Sequence, residues 1–152
     1  MFSIVIPLFN EALNIESLVD EIKSNLLNYA DYEIILIDDA SSDNTIEIIK
    51  NLQFNNIKIL NNKKNRGQSF STRYGIEESS HEIIITLDGD GQNDPADIPK
   101  LLDYYSLNED IKLVGGLRVK RKDKINKIIS SKIANFIRSK VLNDGCQDTG
   151  CS

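Results

Sequence analysis

Asp88 and Asp90 stand two residues apart in the segment LDGDGQNDP, residues 87–95, with Gly89 between them and Gly91 after them. In extended backbone such residues project to one side, so both carboxylates would face one ligand. The glycines carry no side chain and leave room for a bulky group to approach. Two carboxylates repel an anion but hold a divalent cation, and oxygen donors suit Mg²⁺ or Mn²⁺. Gln92 adds a neutral carbonyl oxygen. A cation held this way can clamp a diphosphate and offset the charge on a departing one.

Other chemistries use a similar pair. A calcium loop of the EF-hand type needs Gly at its sixth position and Glu at its twelfth. Counted from Asp88 those positions are Asn93 and Pro99, so that reading fails. A haloacid-dehalogenase-type phosphatase also carries two aspartates two apart after an apolar strand. Its pattern wants Thr or Val where Gln92 stands, and little chain remains for its downstream motifs. A response-regulator receiver, a phosphorylation switch, would take Asp88 as phosphoacceptor and "ILIDDASSD" as its acidic pair. That pair should end the first strand, yet a full strand–helix unit precedes it.

The elements that position these residues alternate from the start. "FSIVIP", "YEIILID", "NIKILN", "EIIITLD" and "IKLVGGL" (residues 111–117) read as five short strands rich in β-branched residues. Ile15, Leu18, Val19, Ile22 and Leu26 recur at helical spacing, with Asn14 as a candidate cap. Further helices are expected over Ile46–Leu52, after Gly67, and from Pro95 onward, where proline suits the first turn. Strands alternating with helices imply parallel βαβ units and a sheet covered on both faces. The polar loops "PLFNE", "DDASSD" and "DGDGQND" all follow strands. In such sheets they gather beyond the carboxyl ends of the strands, where ligands bind.

Charge divides the chain. Residues 1–111 carry 20 acidic against 8 basic side chains, whereas residues 112–140 carry 10 basic and one acidic, Asp123. Ile125, Ile128, Ile129, Ile133, Phe136, Ile137 and Val141 fall on one helical face among lysines and arginines. Such a helix either packs on the sheet with a solvated basic face or lies on an anionic membrane surface. No stretch approaches the ~18 unbroken apolar residues of a membrane span. The start lacks a signal-peptide pattern, and Cys146 and Cys151 read as reduced thiols of a cytosolic chain. The ending "QDTGCS" suggests that a longer protein continues beyond it.

Four segments in order, "IVIPLFNEALNI", "IILIDDASSDNT", "NRGQSFSTRYGIEES" and "ITLDGDGQNDPADIPKLL", resemble the motifs of the family 2 glycosyltransferases of GT-A fold. Within that family the chain is most similar to the polyprenyl-phosphate sugar transferases, such as dolichol-phosphate mannose synthase. The resemblance implies a Rossmann-like α/β domain over 1–152. Residues 1–118 would form the nucleotide-sugar-binding core, and 119–152 the basic helix and the start of an acceptor region. It places Pro7, Phe9 (where relatives often have Tyr) and Glu11 on the nucleotide pocket. Asp39 would contact the base with Ile37 beside it, and Gln68 and Ser69 would approach the nucleotide. Asp88, Gly89 and Asp90, with Gln92, would form the Mg²⁺ or Mn²⁺ and diphosphate site. Arg118 would face the phosphates or the acceptor, and Asp148 matches an acidic position near the acceptor. The implied reaction is inverting sugar transfer from a UDP- or GDP-sugar to a polyprenyl phosphate. The implied partners are that donor, that acceptor and the membrane surface at its cytoplasmic face, with no nucleic acid. A lipid acceptor favours the membrane-surface reading of 125–141.

Overall fold

The computed structural model describes residues 1–108 and 110–116. Four strands run parallel: β1 (Phe2–Leu8), β2 (Tyr32–Asp38), β3 (Ile57–Asn61) and β4 (Ile84–Thr86). Their order across the sheet is β3-β2-β1-β4. The helices between them are α1 (Ile15–Asn25), α2 (Thr45–Asn51) and α3 (Gln68–Glu77), and α4 (Ile98–Ser106) follows β4.

The near-continuous apolar strands are explained by burial on two sides. Along β1 and β2, Phe2, Ile4, Ile6, Leu8, Ile34 and Leu36 form one face, which buries Ile15, Leu18, Val19 and Ile22 of α1 and Ile49 of α2. The alternate residues Val5, Ile35 and Ile37 form the other face, beneath Tyr74 of α3. Each such side chain, fully withdrawn from water, contributes roughly 1.5–3 kcal/mol before chain entropy is set against it. Gly75 lets α3 lie close: an added Cβ there would stand 2.5 Å from Val5 Cγ1 and 2.7 Å from Ile37 Cδ1.

Some local expectations change. Residues 111–116 form no strand, and Leu113 is 87% exposed. The consecutive Gly115 and Gly116 offer no side chains to pack, which weakens strand formation there. Asn14 caps nothing with its side chain; its amide donates instead to Glu11 Oε2 at 2.8 Å. Pro95 opens a short 3₁₀ turn (Pro95–Asp97) ahead of α4, capped by Asp94, which accepts from the Ala96 amide. Arg118, Asp148, both cysteines and the helix expected over 125–141 lie outside the described residues.

Candidate functional site

The strand order reverses direction at β1, since β2 lies on one side of it and β4 on the other. A crevice forms at such a point beyond the carboxyl ends of the strands. Here it is a cleft of about 330 Å³ lined by Pro7, Leu8, Phe9 and Glu11 after β1, Asp39 after β2, Asn65, Gly67 and Gln68 before and on α3, and Asp88, Gly89 and Asp90 after β4.

The first two loops lock together. The Asn10 amide donates to Ser41 Oγ at 2.9 Å, and Asn10 Oδ1 accepts from the Ser42 amide at 2.8 Å. The Glu11 amide donates to Thr45 Oγ1 at 2.9 Å, and the Ala12 amide to Asp43 Oδ2 at 3.2 Å. Asn10 and Ala40 both sit in the left-handed region, at φ 60° and 58°. For alanine that conformation costs roughly 1–2 kcal/mol, which the surrounding latch must offset. Hydrogen bonds hold the Asp43 carboxyl below its usual pKa, the Thr45 hydroxyl contributing most.

Asp39 is 3% exposed and organises the third loop. Its Oδ1 accepts from Asn62 Nδ2 at 2.7 Å and from the Arg66 amide at 2.8 Å, and its Oδ2 accepts from the Gly67 amide at 2.7 Å. Burial pushes this carboxyl up. The bonds from the Arg66 amide, Asn62, the Gly67 amide and Ser71 outweigh it and leave the pKa below the usual aspartate value. Gly67 enters α3 at φ 87°, a conformation open to glycine at no steric cost. The next residue, Gln68, donates from Nε2 to Asp88 Oδ1 at 2.6 Å.

After β4 the backbone must pass close to β1. An added Cβ at Gly89 would meet Leu8 Cδ2 at 2.5 Å, the Pro7 carbonyl at 3.2 Å and Glu11 Cγ at 3.3 Å. Gly91 turns the chain at φ 71°, and Asp90 Oδ1 accepts from the Gln92 amide at 3.0 Å. Among the described residues no three His, Cys, Asp or Glu side chains gather as a metal cage. Two carboxylates opening on a cleft still fit Mg²⁺ or Mn²⁺, because such ions commonly take one or two protein carboxylates and complete their shell with phosphate oxygens and water.

The cleft therefore brings together Pro7, Phe9, Glu11, Asp39, Gln68, Asp88, Gly89 and Asp90 from the residues singled out in the sequence. Ile37 does not reach it: it lies on the strand face beneath α3 and is fully buried. Ser69 and Gln92 are exposed and stand outside the cleft lining. Leu8, Asn65 and Asn62 had not been singled out as site residues. Asn62 directly follows β3 at the same edge as Asp39, and that position was the available signal. A second cavity, about 340 Å³, lies at the amino ends of the strands. In its lining Glu33 is engaged by Ser3 and Ser80, and Lys58 by Glu78.

A doubly wound sheet with an acidic cleft at its switch point is the architecture of nucleotide-sugar-binding GT-A domains. The model for "Glycosyl transferase family 2" matches residues 3–151, and the chain belongs to that family. Membership displaces the receiver and phosphatase readings of Asp88. The undecaprenyl-phosphate 4-deoxy-4-formamido-L-arabinose transferase of Yersinia pestis (strain Pestoides F) is 36% identical over 155 residues, which cover 98% of this chain and 46% of that protein. The chain thus spans about half the length of the curated relatives it matches. Among solved structures, glucosyl-3-phosphoglycerate synthase from Mycobacterium tuberculosis in complex with UDP superposes with a TM-score of 0.71 at 23% identity, over 97% of this chain and 53% of that one. The mannosyltransferase PcManGT from Pyrobaculum calidifontis, in complex with GDP-Man and Mn²⁺, gives 0.60 at 20% identity, over 75% and 33%. These likenesses establish the GT-A fold.

Proposed function

We propose that this chain carries the donor site of a metal-dependent, inverting glycosyltransferase that moves a sugar from a UDP- or GDP-sugar to a polyprenyl phosphate at the cytoplasmic face of the membrane. The observation that carries the reading is the single cleft in which Asp39, Gln68, Asp88 and Asp90 meet across three loops. The Yersinia relative, named for transfer to undecaprenyl phosphate, supports the acceptor class.

In this reading Phe9, 48% exposed at the cleft, offers an aromatic face to the base, and Asp39 Oδ2 keeps acceptor capacity for a base N–H. Asp88 and Asp90 hold the cation, and the bare backbone at Gly89 admits the diphosphate. A bound Mg²⁺ or Mn²⁺ supplies positive charge against the negative charge that develops on the leaving diphosphate. Arg118 adds to that charge, and Asp148 serves the acceptor side. A phosphate acceptor with a second pKa of about 6 is already mostly ionised at neutral pH, so the attacking group needs little general-base help. Among the described residues no helix is long and apolar enough to cross a membrane. The basic stretch 112–140 is the part suited to an anionic bilayer surface.

Calorimetric titration with UDP and GDP, each with and without Mn²⁺, tests this. Expected is binding of one nucleotide that requires the cation and disappears in Asp90→Ala. A folded chain that binds neither nucleotide would sink the reading.

A further inference from the structure

The Gln68 side chain bridges two walls of the cleft by a direct hydrogen bond. Its backbone stands at the start of α3, where Asp39 takes the two preceding amides, Arg66 and Gly67, on its two oxygens. Asp39 is itself fixed by Asn62, whose amide also donates to Ser71 Oγ at 2.9 Å inside the fold. The base of the Gln68 side chain is thus tied to the end of β2. Its tip donates to Asp88 Oδ1 at 2.6 Å, at the end of β4.

We propose that Gln68 is a positioning residue: it fixes the plane of the Asp88 carboxylate so that this group meets the cation in one orientation. The inference deepens the donor-site reading and rests on it. A carboxylate has two oxygens with about four acceptor directions between them. A donor held at Oδ1 restrains the rotation of the group and so helps to set the plane in which its oxygens lie. Groups that orient a metal-holding carboxylate in this manner govern its affinity without touching the ion. The chemistry of the side chain is suited to the task. An amide N–H donates without bringing a charge, whereas Lys or Arg at this place would neutralise Asp88 and compete with the cation.

Gln68 touches neither the base contact at Asp39 Oδ2 nor the second carboxylate, Asp90, in the hydrogen bonds of the cleft. Its removal should therefore separate two affinities. Gln68→Met keeps the length and the helix propensity but deletes the donor. Gln68→Ser keeps a polar group that is too short to reach Asp88. Gln68 is exposed, so the fold should survive in both variants, which thermal unfolding checks.

The test titrates the full chain and both variants with Mn²⁺ plus whichever of UDP and GDP the wild type binds, and separately with uridine and guanosine. Mn²⁺ uptake is read directly by electron paramagnetic resonance. Expected is a loss of about tenfold in Mn²⁺ affinity, and in Mn²⁺-dependent nucleotide affinity, equal in the two variants. Nucleoside binding should be unchanged, an outcome that a merely structural role for Gln68 would not give. Wild-type affinity for Mn²⁺ in either variant overturns the inference while leaving the donor site standing. Equal losses for nucleoside and nucleotide also overturn it, because they would mark a general disturbance of α3. Absence of cation-dependent binding in the wild type removes the donor-site reading, and this inference with it.

Discussion

Replacing Asp39 with asparagine isolates what its charge does, because the two side chains have nearly the same shape. Around the carboxylate the protein presents three N–H donors: Asn62 Nδ2 and the Arg66 amide at Oδ1, and the Gly67 amide at Oδ2. An asparagine placed with its carbonyl oxygen at the Oδ1 position keeps two of these bonds and sets its NH₂ against the Gly67 N–H. The opposite orientation keeps one and opposes two donors, so the first is favoured. One charge-assisted bond is lost and leaves a donor unsatisfied, which costs about 1–3 kcal/mol. The other two bonds fall from charge-assisted to neutral strength, roughly half. The sum is about 2–4 kcal/mol at pH 7, or a fall in Tm of roughly 5–12 °C for a chain of this size. The pH dependence follows from the direction of the Asp39 shift. Its folded pKa is depressed, so its contribution is fully present above the unfolded aspartate value of about 3.9 and is lost as pH falls through the folded value. Urea unfolding of wild type and Asp39→Asn at pH 7, and at the lowest pH where both remain folded, should show a difference that narrows on acidification. A difference under about 0.5 kcal/mol at pH 7, or one independent of pH, would refute the assigned role.

Two glycine substitutions probe the scaffold. Gly89→Ala forces a methyl group to within 2.5 Å of Leu8 Cδ2, and Leu8 is 1% exposed. Overpacking of this kind costs about 1–3 kcal/mol, and displacement of Asp88 and Asp90 should weaken Mn²⁺-dependent nucleotide binding at least about tenfold. Gly75→Ala sets a methyl group against Val5 and Ile37, both fully buried; its helix-propensity gain of up to about 1 kcal/mol should not offset the clash. Net destabilisation in urea is expected, and a stabilised Gly75→Ala protein would contradict the packing described for α3.

Much of the scaffold was readable because burial repeats with the period of each element. Ile15, Leu18, Val19 and Ile22 announced the inner face of α1, and the β-branched runs announced parallel strands covered on both sides. Asp88 and Asp90 stood out because glycines surround them. Ile37 was misplaced because it lies inside β2, where its side chain packs under α3, whereas Asp39 follows the end of the strand and reaches the cleft. Asn62 and the Gln68–Asp88 bond were invisible to periodicity, since they depend on which loops meet in space. The expected fifth strand shows the limit of reading apolar runs alone, because "IKLVGGL" carries apolar β-type residues but holds two consecutive glycines, Gly115 and Gly116, within it.

The register of the sheet also dictates an order of events in time. β1 meets β2 across 30 residues of chain, as Phe2 pairs with Tyr32, through seven register pairs. It meets β4 across 81 residues, as Ser3 pairs with Ile84, through only three. The longer closure costs about 0.9 kcal/mol more in chain entropy and has fewer bonds to repay it. Pairing of β1 with β2 should therefore come first, with the Asn10–Ser42 latch, and docking of β4 last. The carboxylate pair rides on β4, so a newly made chain passes through a stage with half a cleft, already shaped around Asp39 but without Asp88 and Asp90. Pulse-labelled hydrogen exchange during refolding should find the β1 and β2 amides protected before the Leu87 amide, which bonds to the Val5 carbonyl. Competence for the cation is then a late signal that the whole sheet is in place.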